Sequence, residues 1–392
     1  MFGLLLCSCG GGSATTPAPD PLADEPFMLG WYDSVVTVPD YDRKAGEYRP
    51  RGFNTLLVTV GDLTERSTTV RYHIPWDDSD DRYTFDLMAS RTTADYLRTK
   101  VAATGVRVYV EIPPSELFAL SRERLGRAPV PSDWANIEEF VKALINDPSV
   151  SGKIAGWIAM DEPSLPQKRW ATPSLIRELA VHLRALSNKP IALTFHSCIF
   201  QECADQYTGM VYPPLDAGRY RDAADLFLYD EYPFADATHA DPAIPLQHFR
   251  DFRAMVSPQR VIFWAQAWGN SDFPDTPTQR DASPIDITKL RYPTPQEARF
   301  QAWSSLAAGS RGMLWFSLFW TPDARVQGTF SPIAHELDTL NRLLKLPNLL
   351  LTTEEGAFIS PSHDCADDPR TCPDSQSRVV YDSSAGNAWI LA

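Results

Sequence analysis

The residues best suited to chemistry in this 392-residue chain close one apolar run, Gly-Trp-Ile-Ala-Met-Asp-Glu-Pro, from Gly156 to Pro163. A buried strand that ends in two acids and a proline has no packing reason for the acids. Alternation places Gly156, Ile158, Met160 and Glu162 on one side of that strand and Trp157, Ala159 and Asp161 on the other. With the first side turned inward, Glu162 faces the open end of the structure. A carboxyl held there, partly removed from water and near other carboxylates, has its pKa raised. That suits a general acid protonating a leaving oxygen near neutral pH. Asp161 beside it either shares in the chemistry or caps a helix or loop. Such an acid needs a second carboxylate. Asp230 is the first choice, because alternation groups it with Leu226, Leu228 and Tyr232; Glu231 and Glu111 stand in reserve.

These acids need a frame that gathers the ends of several strands. The chain supplies one by alternating short apolar runs with amphipathic stretches, the pattern of a parallel sheet built from βαβ units. Eight strands are predicted: Phe27 to Asp33, Gly52 to Val60, Val106 to Pro113, Ile154 to Pro163, Ile191 to Ser197, Asp225 to Phe234, Val261 to Gly269 and Gly312 to Trp320. Helical patterns run over Thr93–Thr104, Ser132–Asn146, Pro173–Ser187, Pro245–Val256, Pro295–Ala308 and Pro332–Leu346. Start signals such as Ser132-Asp133 and Thr294-Pro295 open two of them. The count predicts an α/β fold, a (β/α)₈ TIM barrel over residues 27–346. An open doubly wound sheet would carry a glycine-rich loop after its first strand, where this chain has Trp31-Tyr32-Asp33. Residues 347–392 read as a short C-terminal β appendage with pieces near Ala357–Ser360, Arg378–Asp382 and Asn387–Leu391.

A barrel of this kind works at the C-terminal ends of its strands. The sequence places Tyr32, Asp33, Glu111, Asp161, Glu162, His196, Asp230, Glu231, Gln266, Trp268, Trp315 and Trp320 there. Tyr32, Tyr232, Trp268, Trp315 and Trp320 have the type and place of stacking platforms, and equally those of core residues. His196 is either a hydrogen-bonded structural residue or a substrate contact. With seven His, no His-x-His on an early strand and no His-Glu-x-x-His, a metal-dependent hydrolase lacks its ligands. Gly-x-Ser-x-Gly is missing too, so serine-nucleophile chemistry has no support, and no cofactor is expected.

The net charge of −14, without a Lys/Arg-rich run, argues against nucleic acid as a partner. Leu6-Cys7-Ser8-Cys9 fits the lipobox of bacterial lipoproteins, so residues 1–26 read as an export signal and flexible tether. Cys9 would carry lipid and anchor an exported protein to a membrane. The remaining cysteines form two local pairs, Cys198 with Cys203 and Cys365 with Cys372, expected as disulfides because their spacing does not suit zinc.

The eight-strand layout resembles the large retaining glycoside-hydrolase clan of (β/α)₈ barrels, which contains β-galactosidases and cellulases. The clan's acid/base Glu closes the fourth strand, usually after Asn and often before Pro. Glu162 stands at that place, with Asp161 replacing the Asn. The text Asp225 to Pro233 is similar to the sixth strand of uncharacterised bacterial lipoprotein glycosidases. The stretch Pro293 to Ser317 is similar to their seventh helix and eighth strand. The resemblance implies cleavage of O-glycosidic bonds in an oligo- or polysaccharide, with Glu162 as general acid. One position departs from it. The clan's nucleophile is a Glu closing the seventh strand, where this chain has Gln266, and a neutral amide cannot attack an anomeric carbon. Three readings stand. Another strand supplies the second carboxylate, with Asp230 favoured; or Gln266 orients substrate or water in an inverting reaction, with Asp230 as base and Glu162 as acid across a wider gap; or the chain is a non-catalytic carbohydrate-binding barrel lipoprotein. Carboxyls facing each other about 5 to 10 Å apart would mark an enzyme.

Overall fold

The computed structural model of the chain describes residues 27–34, 52–59, 93–94, 97–101, 105–204, 209–232, 243–267, 291–316, 323–344, 378–382 and 387–391. All eight predicted strands are present within these residues. They are β1 (Met28–Ser34), β2 (Thr55–Thr59), β3 (Arg107–Glu111), β4 (Ile154–Met160), β5 (Ile191–His196), β6 (Leu226–Asp230), β7 (Arg260–Gln266) and β8 (Gly312–Phe316). Each pairs in parallel with its neighbours in sequence order, and β8 pairs with β1 to close the barrel.

The strands are apolar on both faces because both faces are covered, as parallel sheets require. One set of side chains fills the barrel interior, among them Leu57, Tyr109, Ile158, Leu228, Trp264 and Leu314. The alternate set, including Trp31, Trp157, Phe195, Phe263 and Trp315, packs in the larger outer cluster that also contains the helix residues. The interior is tight. A Cβ added at Gly30 would lie 2.2 Å from the Thr55 carbonyl oxygen, and one at Gly156 would lie 2.3 Å from the Tyr109 ring.

Among the described residues the longer helices are α1 (Ala135–Ile145), α2 (Pro173–Leu186), α3 (Ala243–Val256), α4 (Pro295–Ala307) and α5 (Ser331–Leu344). The Thr294-Pro295 signal is a full capping box: Thr294 Oγ1 accepts from Glu297 N at 3.2 Å, and Glu297 Oε2 accepts from Thr294 N at 2.8 Å. Ser132-Asp133 lies in a 3₁₀ turn, Pro131–Trp134, ahead of α1, where Asp133 Oδ2 accepts from Val130 N at 2.7 Å. Of the helix expected over Thr93–Thr104, the described residues contain a helical pair at 93–94 and a π turn at Leu97–Val101.

Alternation fails twice along β4: the pairing with β3 skips Ala155 between Ile154 and Gly156, and a second break lies nearer the strand end. The pairing of β4 with β5 shifts register between Ile158 and Met160, and Met160 packs with the outer cluster instead of the interior. A bulge moves one residue across the pleat, so simple alternation does not carry through to the strand end.

Cys198 and Cys203 form the expected disulfide. Cys9 with residues 1–26, Cys365, Cys372 and the piece at Ala357–Ser360 lie outside the described residues. The other two C-terminal pieces form an antiparallel hairpin, β9 (Arg378–Asp382) with β10 (Asn387–Leu391). Among the described residues no helix is long and apolar enough to cross a membrane.

Candidate active site

The turn that leaves β4 aims Glu162 into the mouth of the barrel. Glu162 N donates to Thr194 O at 3.1 Å, which continues the ladder toward β5, and Leu165 N donates to Glu162 O at 3.1 Å, which closes the turn. Between these bonds Glu162 takes φ +50°, and among the described residues it is the one non-glycine with positive φ. For a side chain with a Cβ this left-handed conformation costs about 1–2 kcal/mol. Strain of this kind persists where surrounding bonds over-determine it, and it gathers at functional sites. Ser164 adds a tie to the next strand, since its Oγ accepts from His196 N at 3.0 Å.

Asp230 comes to the same place from β6. Its strand alternates as the sequence predicts, with Leu226 and Leu228 in the interior and Phe227 and Tyr229 in the outer cluster. Asp230 is 1 % exposed. Tyr232 Oη donates to its Oδ2 at 2.9 Å, while its Oδ1 is buried with no donor to accept from. The carboxyl instead makes a hydrogen bond with Glu162. Two carboxyls can share a hydrogen bond only if one holds a proton, so the orphan oxygen has a chemical explanation: Asp230 donates and Glu162 accepts.

The surroundings fix that order. Burial pushes the Asp230 carboxyl well above the ordinary carboxylate range, and the neighbouring charges of Glu162 and Asp161 push the same way. Burial alone would raise Glu162 as well, but Lys168, His196 and the bond from Asp230 outweigh it and bring Glu162 below its ordinary value. Lys168 Nζ lies 3.3 Å from Asp161 Oδ2 and 3.4 Å from Glu162 Oε2. Asp161 is raised, chiefly by its own burial and against the pull of Lys168. Glu111, 2 % exposed at the end of β3, adds its charge to those that keep the Lys168 ammonium protonated.

The expectation of a raised pKa on Glu162 is therefore corrected: the raised carboxyl is Asp230, because it is the more deeply buried and has no cation on it.

Several predicted residues lie elsewhere. Glu231 points to the helix side of β6, where it accepts from Tyr229 Oη at 2.6 Å and meets His248 Nδ1 of α3 at 3.0 Å. Gln266 is fully enclosed, and its Nε2 donates to Arg291 O at 3.0 Å. Arg291 in turn grips Glu297 of the α4 capping box, so Gln266 braces the entry to that helix. Trp315 is core, edge-on to Phe53 at 5.6 Å. The mouth-facing ring of β8 is its neighbour Phe316, which meets Tyr32 at 5.4 Å and stacks on Tyr232 at 5.7 Å. Tyr32 also packs on Trp264 at 5.1 Å. His196 stands by the pair, with its Nδ1 3.2 Å from Ser197 Oγ. Trp268, Trp320 and the side chain of Asp33 lie outside the described residues. Sequence reasoning missed Lys168, Trp264 and Phe316. The signal for Lys168 was a basic residue six positions after Glu162; for Phe316 it was the alternation with Leu314. Among the described residues no three His, Cys, Asp or Glu side chains are arranged to hold a metal ion.

No family model matches the chain. No curated protein matches it either. Among solved structures it is similar to a glycoside hydrolase family 17 β-1,3-glucanosyltransferase from Rhizomucor miehei, at 11 % identity and TM-score 0.41, over 74 % of this chain and 86 % of that one. It is also similar to an exo-β-1,4-mannosidase from Opitutaceae bacterium strain TAV5, at 16 % identity and TM-score 0.44, over 74 % and 52 %. A β-galactosidase from Halorubrum lacusprofundi is similar at 11 % identity and TM-score 0.48, over 84 % and 58 %.

Proposed function

We propose that this chain is a glycosidase that cleaves O-glycosidic bonds of an oligo- or polysaccharide, with Asp230 as the proton donor and Glu162 as the ionised carboxylate. The observation that carries this reading is the Glu162–Asp230 pair, two hydrogen-bonded carboxyls at a barrel mouth with opposite pKa shifts. Environments that push two carboxyls apart assign one as acid and the other as base or nucleophile. A sugar entering the site would part the pair. Asp230 would then protonate the glycosidic oxygen while Glu162 meets the anomeric carbon. Tyr32, Tyr232 and Phe316, each partly buried at the mouth, offer apolar faces to a pyranose ring. The protein would act outside the cytoplasm, held to a membrane through lipid on Cys9.

A second reading is favoured by one observation. The end of β7 carries an amide, Gln266, where the resembling clan has its nucleophilic Glu, and that amide is enclosed and bonded to Arg291 O. On this reading the barrel binds glycans without cleaving them. One panel separates the two. Glycans and aryl glycosides are offered to wild type, Glu162→Gln and Asp230→Asn, with turnover and binding both measured. Turnover by wild type that falls about 10²-fold or more in each variant supports the enzyme. Glycan binding without turnover by wild type overturns it in favour of the binding protein.

A further inference from the structure

We propose that Lys168 is a positioning residue that decides which of the two carboxyls keeps the shared proton: bound to Glu162 and not to Asp230, its ammonium holds the proton on Asp230. The geometry is one-sided. Lys168 arrives from a 3₁₀ turn, Pro166–Lys168, whose Pro166 fixes the first backbone angle of the turn. Its Nζ reaches Asp161 Oδ2 at 3.3 Å and Glu162 Oε2 at 3.4 Å, and among the described residues no ion pair joins it to Asp230. Asp230 is met instead by a neutral donor, Tyr232 Oη, and by Glu162.

Every charged or titratable group facing the pair bears on this assignment. Asp161 from the same turn raises Asp230, and Glu111 from β3 acts on Lys168, whose ammonium it keeps protonated. His196 from β5 adds to the pull of Lys168 on Glu162. Tyr232 donates to Asp230 and lowers it, a pull against this order that is weaker than burial and the charges of Glu162 and Asp161. Two carboxyls in contact cannot both ionise, so a small asymmetry decides the microstate. The largest asymmetry here is one cation on one side. The consequence for turnover rests on the glycosidase reading: a pair with its proton on Asp230 has its acid on β6 and its free carboxylate on the strained turn after β4. The protonation order itself does not depend on that reading.

The test uses the full chain labelled with ¹³C at the Asp and Glu carboxyl carbons. Resonances are assigned through Glu162→Gln and Asp230→Asn and titrated in wild type, Lys168→Met and Lys168→Arg. In wild type the Asp230 carbon is expected to report a protonated group above the ordinary carboxylate range, where that of Glu162 reports an ionised one. Removing the cation should raise the Glu162 midpoint by about one to three pH units, the usual effect of an opposite charge at this distance. Lys168→Arg should keep the wild-type order. An ionised Asp230 beside a protonated Glu162 in wild type overturns the proposal, even if Lys168→Met does not fold. So does a Glu162 midpoint that stays within a few tenths of a unit in Lys168→Met. If the titrations behave as expected and no glycoside is turned over, Lys168 keeps its role and the glycosidase reading fails. If turnover is found but the wild-type order is reversed, the enzyme stands and the role of Lys168 falls.

Discussion

Replacing Asp230 by Asn should stabilise the protein increasingly as pH rises, while removing its activity. The sign follows from proton counting. Asp230 has a raised folded-state pKa, so from about pH 4, the ordinary Asp value, up to its own midpoint the folded chain holds a proton that the unfolded chain has released. Stability of the wild type then falls with rising pH, by about 1.4 kcal/mol per pH unit for one proton. Asn has the same shape, carries no proton to lose, and offers an N–H to the Glu162 carboxylate. Between the ordinary Asp range and the raised midpoint the difference in unfolding free energy, Asn variant minus wild type, should therefore widen with rising pH, by at most about 1.4 kcal/mol per unit. Urea unfolding of both proteins at pH 4.5, 5.5 and 6.5 measures it. Loss of a general acid should meanwhile cost about 10² to 10⁴ in rate. A stability difference that stays flat over those two pH units would mean that Asp230 ionises like an exposed carboxyl, and the assignment of the shared proton would be wrong.

Two further outcomes probe the frame around the pair. Gly30→Ala places a Cβ 2.2 Å from the Thr55 carbonyl oxygen, a backbone atom that cannot swing aside, so the β1–β2 ladder must shift. A loss of about 3 kcal/mol or more in urea unfolding is expected, the upper end of overpacking costs; an unchanged midpoint would refute the close approach. His248 is raised by its hydrogen bond to Glu231. This link between α3 and β6 should be fully present below the ordinary His range and lost as pH rises through the raised value. His248→Gln should cost about 1 kcal/mol at pH 5.5 and less at pH 9, and an equal cost at both would show that the histidine acts by packing alone.

Much of the frame was written locally. Eight apolar runs of strand length, separated by helical patterns, gave the barrel because each strand is buried on both faces and reads as such. The alternation of Leu226, Leu228 and Asp230 was legible because β6 has no bulge within it. The same rule failed at Met160, where the register of β4 against β5 shifts, and it was not applied to β8, where Leu314 inside implies Phe316 inside and Trp315 outside. Gln266 stood at the right strand end but closes on Arg291, a residue 25 positions away whose approach no local pattern announces.

The sequence by itself determined that this chain builds a parallel barrel, and that Glu162 ends one of its strands with Asp230 inward on another. Periodicity and burial act over a few residues, so they can be read along the chain. Only the tertiary structure brought these two carboxyls together, set Lys168 on one of them, and gave them environments that push their proton affinities in opposite directions. Proton affinity depends on desolvation and on charges a few ångströms away through space, and those neighbours come from different strands and turns whose meeting the spacing of residues does not record.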